Sequence, residues 1–460
     1  MQHIFSNWTL HKAFACISLF FGVLFVFLVP PFYGCDEPSH FLRAYQISEG
    51  VIKGEKIGSS AGGTLPQSLR EADHFVFQQY SSGNKDSNKT REAMKQLEIP
   101  LAQQDRKFSG FSNVVIYSPM TYLSQSFGMF VGRIFQMNIL WLLYCARIFN
   151  LLFWVALITL AIKITPNHKL IMFVVALTPL SLYQASVLSG DSVVNGFIFL
   201  LVAWVLKQAQ LKDTPFRAKD ILVMLVLSVA ISLAKQAYLP ILLLFFIIPS
   251  CRFRHKLNYF ITICAVSAVG LVSYGIWSVC VKDIMVTLNE GASIPDQAAF
   301  ILHHPVKFII AIRNTFLSVT GCALLVESVG SVLGWPIPCF LSSKVSAIIL
   351  INIGFVALID GHHIKIKKER MHHLAVIFAT FIMGVLGIAT VLYLSWTPVG
   401  GEKVLGLQGR YFLPYILVAS LLFCKLNVCN KVTQQLKTMS FLVTICILII
   451  TLYSMILKYC

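Results

Sequence analysis

Charge is what this 460-residue sequence most lacks: Asp, Glu, Lys and Arg make up 12% of it, about half the share of an ordinary soluble domain. With 57% hydrophobic residues and a mean hydropathy of +0.74, a soluble globular enzyme is excluded. The 35 Phe exclude low-complexity disorder. The twelve cysteines form no CxxC pair and no Cys/His metal spacing, and many sit inside apolar runs (Cys16, Cys145, Cys264, Cys446), which argues against a zinc site. Pairing of Cys322 with Cys339 is open on an oxidising face, with small apolar side chains as the default. No A-x-A cleavage pattern follows the first apolar run, Ala13 to Phe32, which reads as a retained anchor. Gly34-Cys35 is not taken as a lipoprotein site, because Phe32 stands where Leu is expected. Internal repeats are also missing, which weakens inverted-repeat transporter folds. A polytopic membrane protein remains.

The net charge of +17 suggests nucleic acid only until its distribution is read. Ten of the 20 acidic residues lie between Asp36 and Asp105, matched by ten basic ones from Arg43 to Lys107, so the rest of the chain carries 27 basic against 10 acidic residues. Five short loops hold 16 of those basic residues against Asp213, Asp220, Asp360 and Glu369, the pattern of topology-setting charge rather than of a nucleic-acid face.

Apolar runs of spanning length fall near 13–31, 139–162, 170–188, 192–207, 257–281, 342–359, 372–395, 411–424 and 438–457. Residues 221–249 are apolar apart from Lys235, long for one span and short for two. All five basic loops share the cytoplasmic side only if 119–135 lies in the interface as an amphipathic helix and 221–249 crosses twice. The expectation is an all-α polytopic membrane protein of eleven membrane helices with a cytoplasmic N-terminus. Its parts are 1–31 with the first helix, a large outer loop 32–138 carrying interfacial helices near 38–50 and 119–135, helices two to seven over 139–281, a second outer loop 282–341, and helices eight to eleven over 342–460. The stretch 81–90, SSGNKDSNKT, reads as a flexible tip.

The most informative stretch, Cys35-Asp36-Glu37-Pro38-Ser39-His40-Phe41-Leu42-Arg43, follows the first membrane helix directly. Pro38 suits a first helical turn, which puts Asp36 and Glu37 at the positive end of a helix dipole, and His40 and Arg43 share one face. Two carboxylates at a membrane boundary, backed by His and Arg, suit a general-base site; a helix cap with interfacial charges is the plainer alternative.

D-E-P-S-H-F-L-R-A-Y resembles the D-E-P-x-H-F-x-R-A-Y signature of domain of unknown function 2142, a bacterial family of predicted membrane proteins that is similar to the GT-C glycosyltransferase superfamily. Tyr117-Ser118-Pro119 with Tyr122, Ser189-Gly190-Asp191, Lys235 with Tyr238-Leu239-Pro240, and Gly409-Arg410-Tyr411-Phe412-Leu413-Pro414 resemble it in the same order. The resemblance implies a GT-C-like helix bundle with its active site on the periplasmic face of the bacterial inner membrane. It implies an enzyme that moves a sugar from an undecaprenyl-phosphate carrier to a glycan acceptor such as lipopolysaccharide O-antigen. The layout also resembles prophage O-antigen glucosyltransferases, the agents of serotype conversion. Asp36 or Glu37 matches the family's catalytic position. The chemistry then calls for cations to hold the leaving phosphate: Arg410, Lys235 and Arg43, with Arg133 and Arg147 behind them. His40, Asp191, Tyr122 and Glu327 complete the substrate-binding candidates. Each has a plainer reading: Lys235 as a lysine reaching the interface, Arg410 as an anchor, Asp191 as a helix cap. The adjacent pairs His303-His304, His362-His363 and His372-His373 make poor chelates, since helical neighbours diverge by about 100°. No organic cofactor is expected, and a divalent metal is compatible but not required. Expected partners are membrane lipid, the lipid-linked donor, the acceptor glycan, and flippase and donor-synthesis proteins. The rival functions are a transporter or flippase of a lipid-linked sugar, and an O-antigen polymerase.

Overall fold

The computed structural model describes residues 10–70, 95, 97–335, 338–360, 367–423 and 430–460. The 81–90 stretch and the pair His362-His363 lie outside them. The first apolar run forms α1 (Leu10–Leu28), and the D-E-P segment forms α2 (Glu37–Ser48). A 3-10 turn over Pro119–Tyr122 leads into α3 (Leu123–Ile134), followed by α4 (Ile139–Ile164). The run near 170–188 is broken into α5 (Lys169–Ala176) and α6 (Pro179–Ser186), bent by 62° where Pro179 restarts the helix. Next come α7 (Gly190–Gln210), α8 (Ala218–Ala234), a 3-10 segment Gln236–Ile247 and α9 (Lys256–Val281). The remainder is α10 (Ile294–His303), α11 (Pro305–Phe316), α12 (Val319–Glu327), α13 (Ser343–Ile359), α14 (Lys367–Ser395), α15 (Leu413–Ser420) and α16 (Asn430–Tyr459).

The helical membrane architecture is as expected, but the count of eleven spans is not. Among the described residues six helices are long and apolar enough to cross a membrane, or up to eight if each bent pair is one span. Four expected spans fall short, two of them in the 221–249 run. α15 has eight residues, too few for a core of about 30 Å at about 1.5 Å per residue. α13 has 17, and the 221–249 run splits at Lys235 into α8 and a twelve-residue 3-10 segment interrupted by Pro240. Conversely, the expected second outer loop contains a bent apolar pair, Pro305–Phe316 with Gly321–Glu327, that passes as a span. Hydropathy measures how apolar a run is, not whether its backbone stays helical long enough to cross.

The segment between α1 and α4 is also not purely helical. Strands β1 (Glu55–Ile57), β2 (Ser60–Pro66) and β3 (Arg106–Gly110) form an antiparallel sheet in that order. In α3 the amphipathic sense is reversed from that of a soluble surface helix. Ser124, Gln125, Ser126, Gly128 and Gly132 face inward, while Leu123, Phe127, Phe130 and Ile134 are exposed, as suits a helix that meets lipid rather than water. Cys322 and Cys339 are both free thiols.

Candidate functional site

The chain leaves α1 through two left-handed residues, Phe32 (φ 66°) and Asp36 (φ 59°), before α2 begins at Glu37 with Pro38 in its first turn. The left-handed conformation costs a residue with a β-carbon about 1 kcal/mol, so its surroundings must hold Asp36 there. Arg410 Nη2 donates to Asp36 Oδ2 at 2.8 Å, and Asn113 Nδ2 donates to Oδ1 at 3.3 Å. The Asp36 side chain nonetheless keeps 41% of its surface exposed. Burial pushes its carboxyl up, but the opposing effects, led by the charge and hydrogen bond of the Arg410 guanidinium, together hold it below the ordinary value.

Glu37, its neighbour, has the opposite environment. Its side chain is 0% exposed and pairs with Arg147, also 0% exposed, through Nε at 2.7 Å and Nη2 at 2.6 Å. The backbone N–H groups of Gly34 and Leu188 donate to the same carboxylate at 3.0 and 2.9 Å. The helix start splits two adjacent carboxylates into a solvent-reachable one and a sealed one.

Asp191 reaches the same place from 155 residues away, at the N-terminus of α7. Ser189 Oγ accepts from its N–H at 3.1 Å, and its carboxylate accepts from Lys235 Nζ at 2.5 Å and Gln184 Nε2 at 3.1 Å. Arg410 Nε stands 3.6 Å from Asp191 Oδ2, so this guanidinium bridges the two aspartates. Lys235 sits at the break after α8, its ammonium 4.4 Å from the centre of the Tyr411 ring. The break exposes carbonyls that no further helical turn can satisfy. Ser118 Oγ donates to Leu233 O at 2.7 Å and Thr121 Oγ1 to Ala234 O at 2.8 Å, so the Tyr117-Ser118-Pro119 turn caps α8 and fixes where Lys235 begins. Gly409 is required before Arg410, since a β-carbon there would stand 2.4 Å from Glu327 Cβ. Its N–H donates to Glu327 Oε2 at 3.3 Å. His40 is buried and shares a 2.8 Å hydrogen bond between Nδ1 and the Tyr122 hydroxyl. Burial lowers its imidazole to about 4, so it is neutral at physiological pH.

These groups converge on a cavity of about 490 Å³. Asp36, His40, Asn113, Asp191, Lys235, Gln408 and Arg410 line one end; Tyr274, Trp277 and Val281 of α9 and Ile388, Val391 and Leu392 of α14 line an apolar wall. Asp36, His40, Asp191, Lys235 and Arg410, all singled out in the sequence, line the cavity together. Four others do not: Glu37 is sealed against Arg147, and Arg43 is 0% exposed and donates to Gln46 and the carbonyls of Ile52 and Tyr117. Tyr122 stands behind His40 and Glu327 behind Gly409. Of the two reserve cations, Arg147 is consumed by Glu37, and Arg133 donates to Ser48 O at 2.7 Å. Asn113 and Gln408 also line it without a signal in the sequence, since a lone polar residue in a loop has no periodicity, and Trp277 is one aromatic within the apolar run of α9. Among the described residues no group of three or more His, Cys, Asp or Glu stands close enough to hold a metal ion.

Every piece of the family resemblance contributes to this one site: the D-E-P segment, the Tyr117 turn, Ser189-Gly190-Asp191, Lys235 with Tyr238, and Gly409-Arg410-Tyr411. A family model described as predicted membrane protein (DUF2142) matches residues 19–419. No curated protein and no solved structure matches the chain.

Proposed function

This chain belongs to the DUF2142 family of predicted membrane proteins, and we propose that it is a GT-C-type glycosyltransferase of the bacterial inner membrane. In this reading it transfers a hexose from an undecaprenyl-phosphate carrier to a periplasmic glycan such as O-antigen. The observation that carries the reading is the cavity itself. An accessible carboxylate and two cations share its polar end, and its other wall is apolar enough for an isoprenoid chain. The basic bias of the short loops supports a site on the periplasmic side.

The residues divide the chemistry as follows. Asp36 removes the proton from an acceptor hydroxyl while that oxygen forms its bond to the anomeric carbon. The bond from that carbon to the phosphate oxygen breaks, and the electron pair leaves with the lipid phosphate. Arg410 and Lys235 hold the charge that collects there. Asp191 keeps both cations in place before the donor arrives, and neutral His40 offers its second ring nitrogen to a sugar hydroxyl. Glu37, sealed against Arg147, serves the scaffold.

The test is the mass of the surface glycan in cells that carry wild type, Asp36→Asn, Glu37→Gln or Arg410→Ala at matched membrane levels. Loss of a hexose increment in Asp36→Asn and Arg410→Ala supports the transferase. An unchanged glycan in both sinks it and brings the transporter reading forward.

A further inference from the structure

Asp36 and Asp191 meet at one guanidinium although they arrive on separate segments, each at the start of a helix that follows an irregular turn. Both turns are fastened to the same helix. Arg147 of α4 spends all five of its N–H donors on the turn that leads to Asp36. Nη1 donates to Val26 O and Val29 O, Nη2 to Pro30 O and Glu37 Oε2, and Nε to Glu37 Oε1. One turn further along α4, Asn150 grips the turn that leads to Asp191. Its Nδ2 donates to Gln184 O, Ala185 O and Val187 O, and its Oδ1 accepts from Ser124, Gln125 and Ser192. Glu37 links the two fastenings, because its Oε1 also accepts from Leu188 N at 2.9 Å. Arg147 and Asn150 are each 0% exposed.

We infer that Arg147 and Asn150 are positioning residues: one face of α4 registers Asp36 and Asp191 against each other, and with them the guanidinium of Arg410 between. This rests on the transferase reading for its functional meaning. Arg147 and Asn150 each use all their donors here, and buried polar groups satisfied in this way hold a single geometry. A misplacement of about 1 Å at reacting groups costs about a hundredfold in rate. Neither residue lines the cavity, so their loss should leave donor binding almost untouched.

The test uses the full chain in membrane vesicles, with undecaprenyl-phosphate glucose as donor and lipopolysaccharide as acceptor, and compares Arg147→Lys and Asn150→Ser with wild type. Arg147→Lys keeps the charge but has three donors in place of five. A second readout needs no substrate: the rate at which N-ethylmaleimide labels Cys35, next to Asp36, followed by peptide mass spectrometry. Both variants are expected to lose about a hundredfold in kcat with donor KM within about twofold, and Arg147→Lys to label several-fold faster at Cys35. A wild-type kcat in either variant, a donor KM that rises in step with the loss, or unchanged Cys35 labelling overturns the inference. Absence of glucose transfer by the wild type counts against the proposed function alone, and the Cys35 rates then decide the positioning role.

Discussion

Exchanging each of the adjacent carboxylates for its amide should produce opposite failures. Asp36 pairs with Arg410 at 2.8 Å, but 41% of its side chain is exposed, so water screens the pair and its net worth to folding is about 0–1 kcal/mol. In the proposed role of general base it would be worth about 10²–10⁴ in rate, which at about 1.36 kcal/mol per decade is about 2.7–5.4 kcal/mol of transition-state stabilisation. Asp36→Asn should therefore unfold near the wild-type temperature and be at least about a hundredfold slower. Glu37 has the reverse balance. Its carboxylate accepts four hydrogen bonds at 0% exposure, two of them from Arg147. In Glu37→Gln the amide nitrogen turns one pair of contacts into donor facing donor and leaves a buried guanidinium uncompensated, a loss of about 3–5 kcal/mol. The assay pairs thermal unfolding of purified protein in detergent with the initial rate of glucose transfer in vesicles. If Asp36→Asn keeps transfer within about threefold of wild type, the base assignment fails. If Glu37→Gln unfolds at the wild-type temperature, the reading of Glu37 as scaffold fails.

Three further outcomes are expected. His40 titrates at about 4 in the fold against 6.5 outside it, so the unfolded chain binds more protons between those values. Stability is full above about pH 6.5 and falls by roughly 3 kcal/mol as pH drops through about 4; His40→Gln should flatten that fall in acid unfolding curves, and an unchanged slope refutes it. Because Arg410 and Lys235 already neutralise Asp36 and Asp191, chelation with EDTA should leave the wild-type transfer rate unchanged; a large loss restored by a divalent cation shows that a metal supplies the charge instead. Gly384 of α14 faces the ring of Tyr415, where a β-carbon would stand 2.0 Å from Cε1, so Gly384→Ala should lower thermal stability by about 1–3 kcal/mol.

The helices and the chemistry were legible in the sequence to different depths. Apolar run length located α1, α4, α7 and α9 to within a few residues. It misread 221–249, because a run can be apolar throughout and still abandon the helix at one lysine. Chemical type picked out Asp36, Asp191, Lys235 and Arg410, since charges are costly in apolar surroundings and stand out there. What it could not resolve was the difference between Asp36 and Glu37. That difference depends on one left-handed residue and on a partner 110 residues away. Asn150 was passed over for the same reason: its six hydrogen-bond partners are visible only once α3, α6 and α7 stand around α4.

The break at Lys235 also bears on biosynthesis. A backbone that leaves the helix among apolar side chains must have its polar groups met by protein, because lipid offers none. The hydroxyls that meet them belong to Ser118 and Thr121, translated over a hundred residues earlier. The segment 218–247 therefore has no finished resting place when it leaves the insertion machinery unless the turn that carries Ser118 and Thr121 is already in place. Placement of that earlier turn becomes a checkpoint for insertion of the later segment. A defect in the Tyr117-Ser118-Pro119 turn should then appear as protein removed by membrane proteases during synthesis.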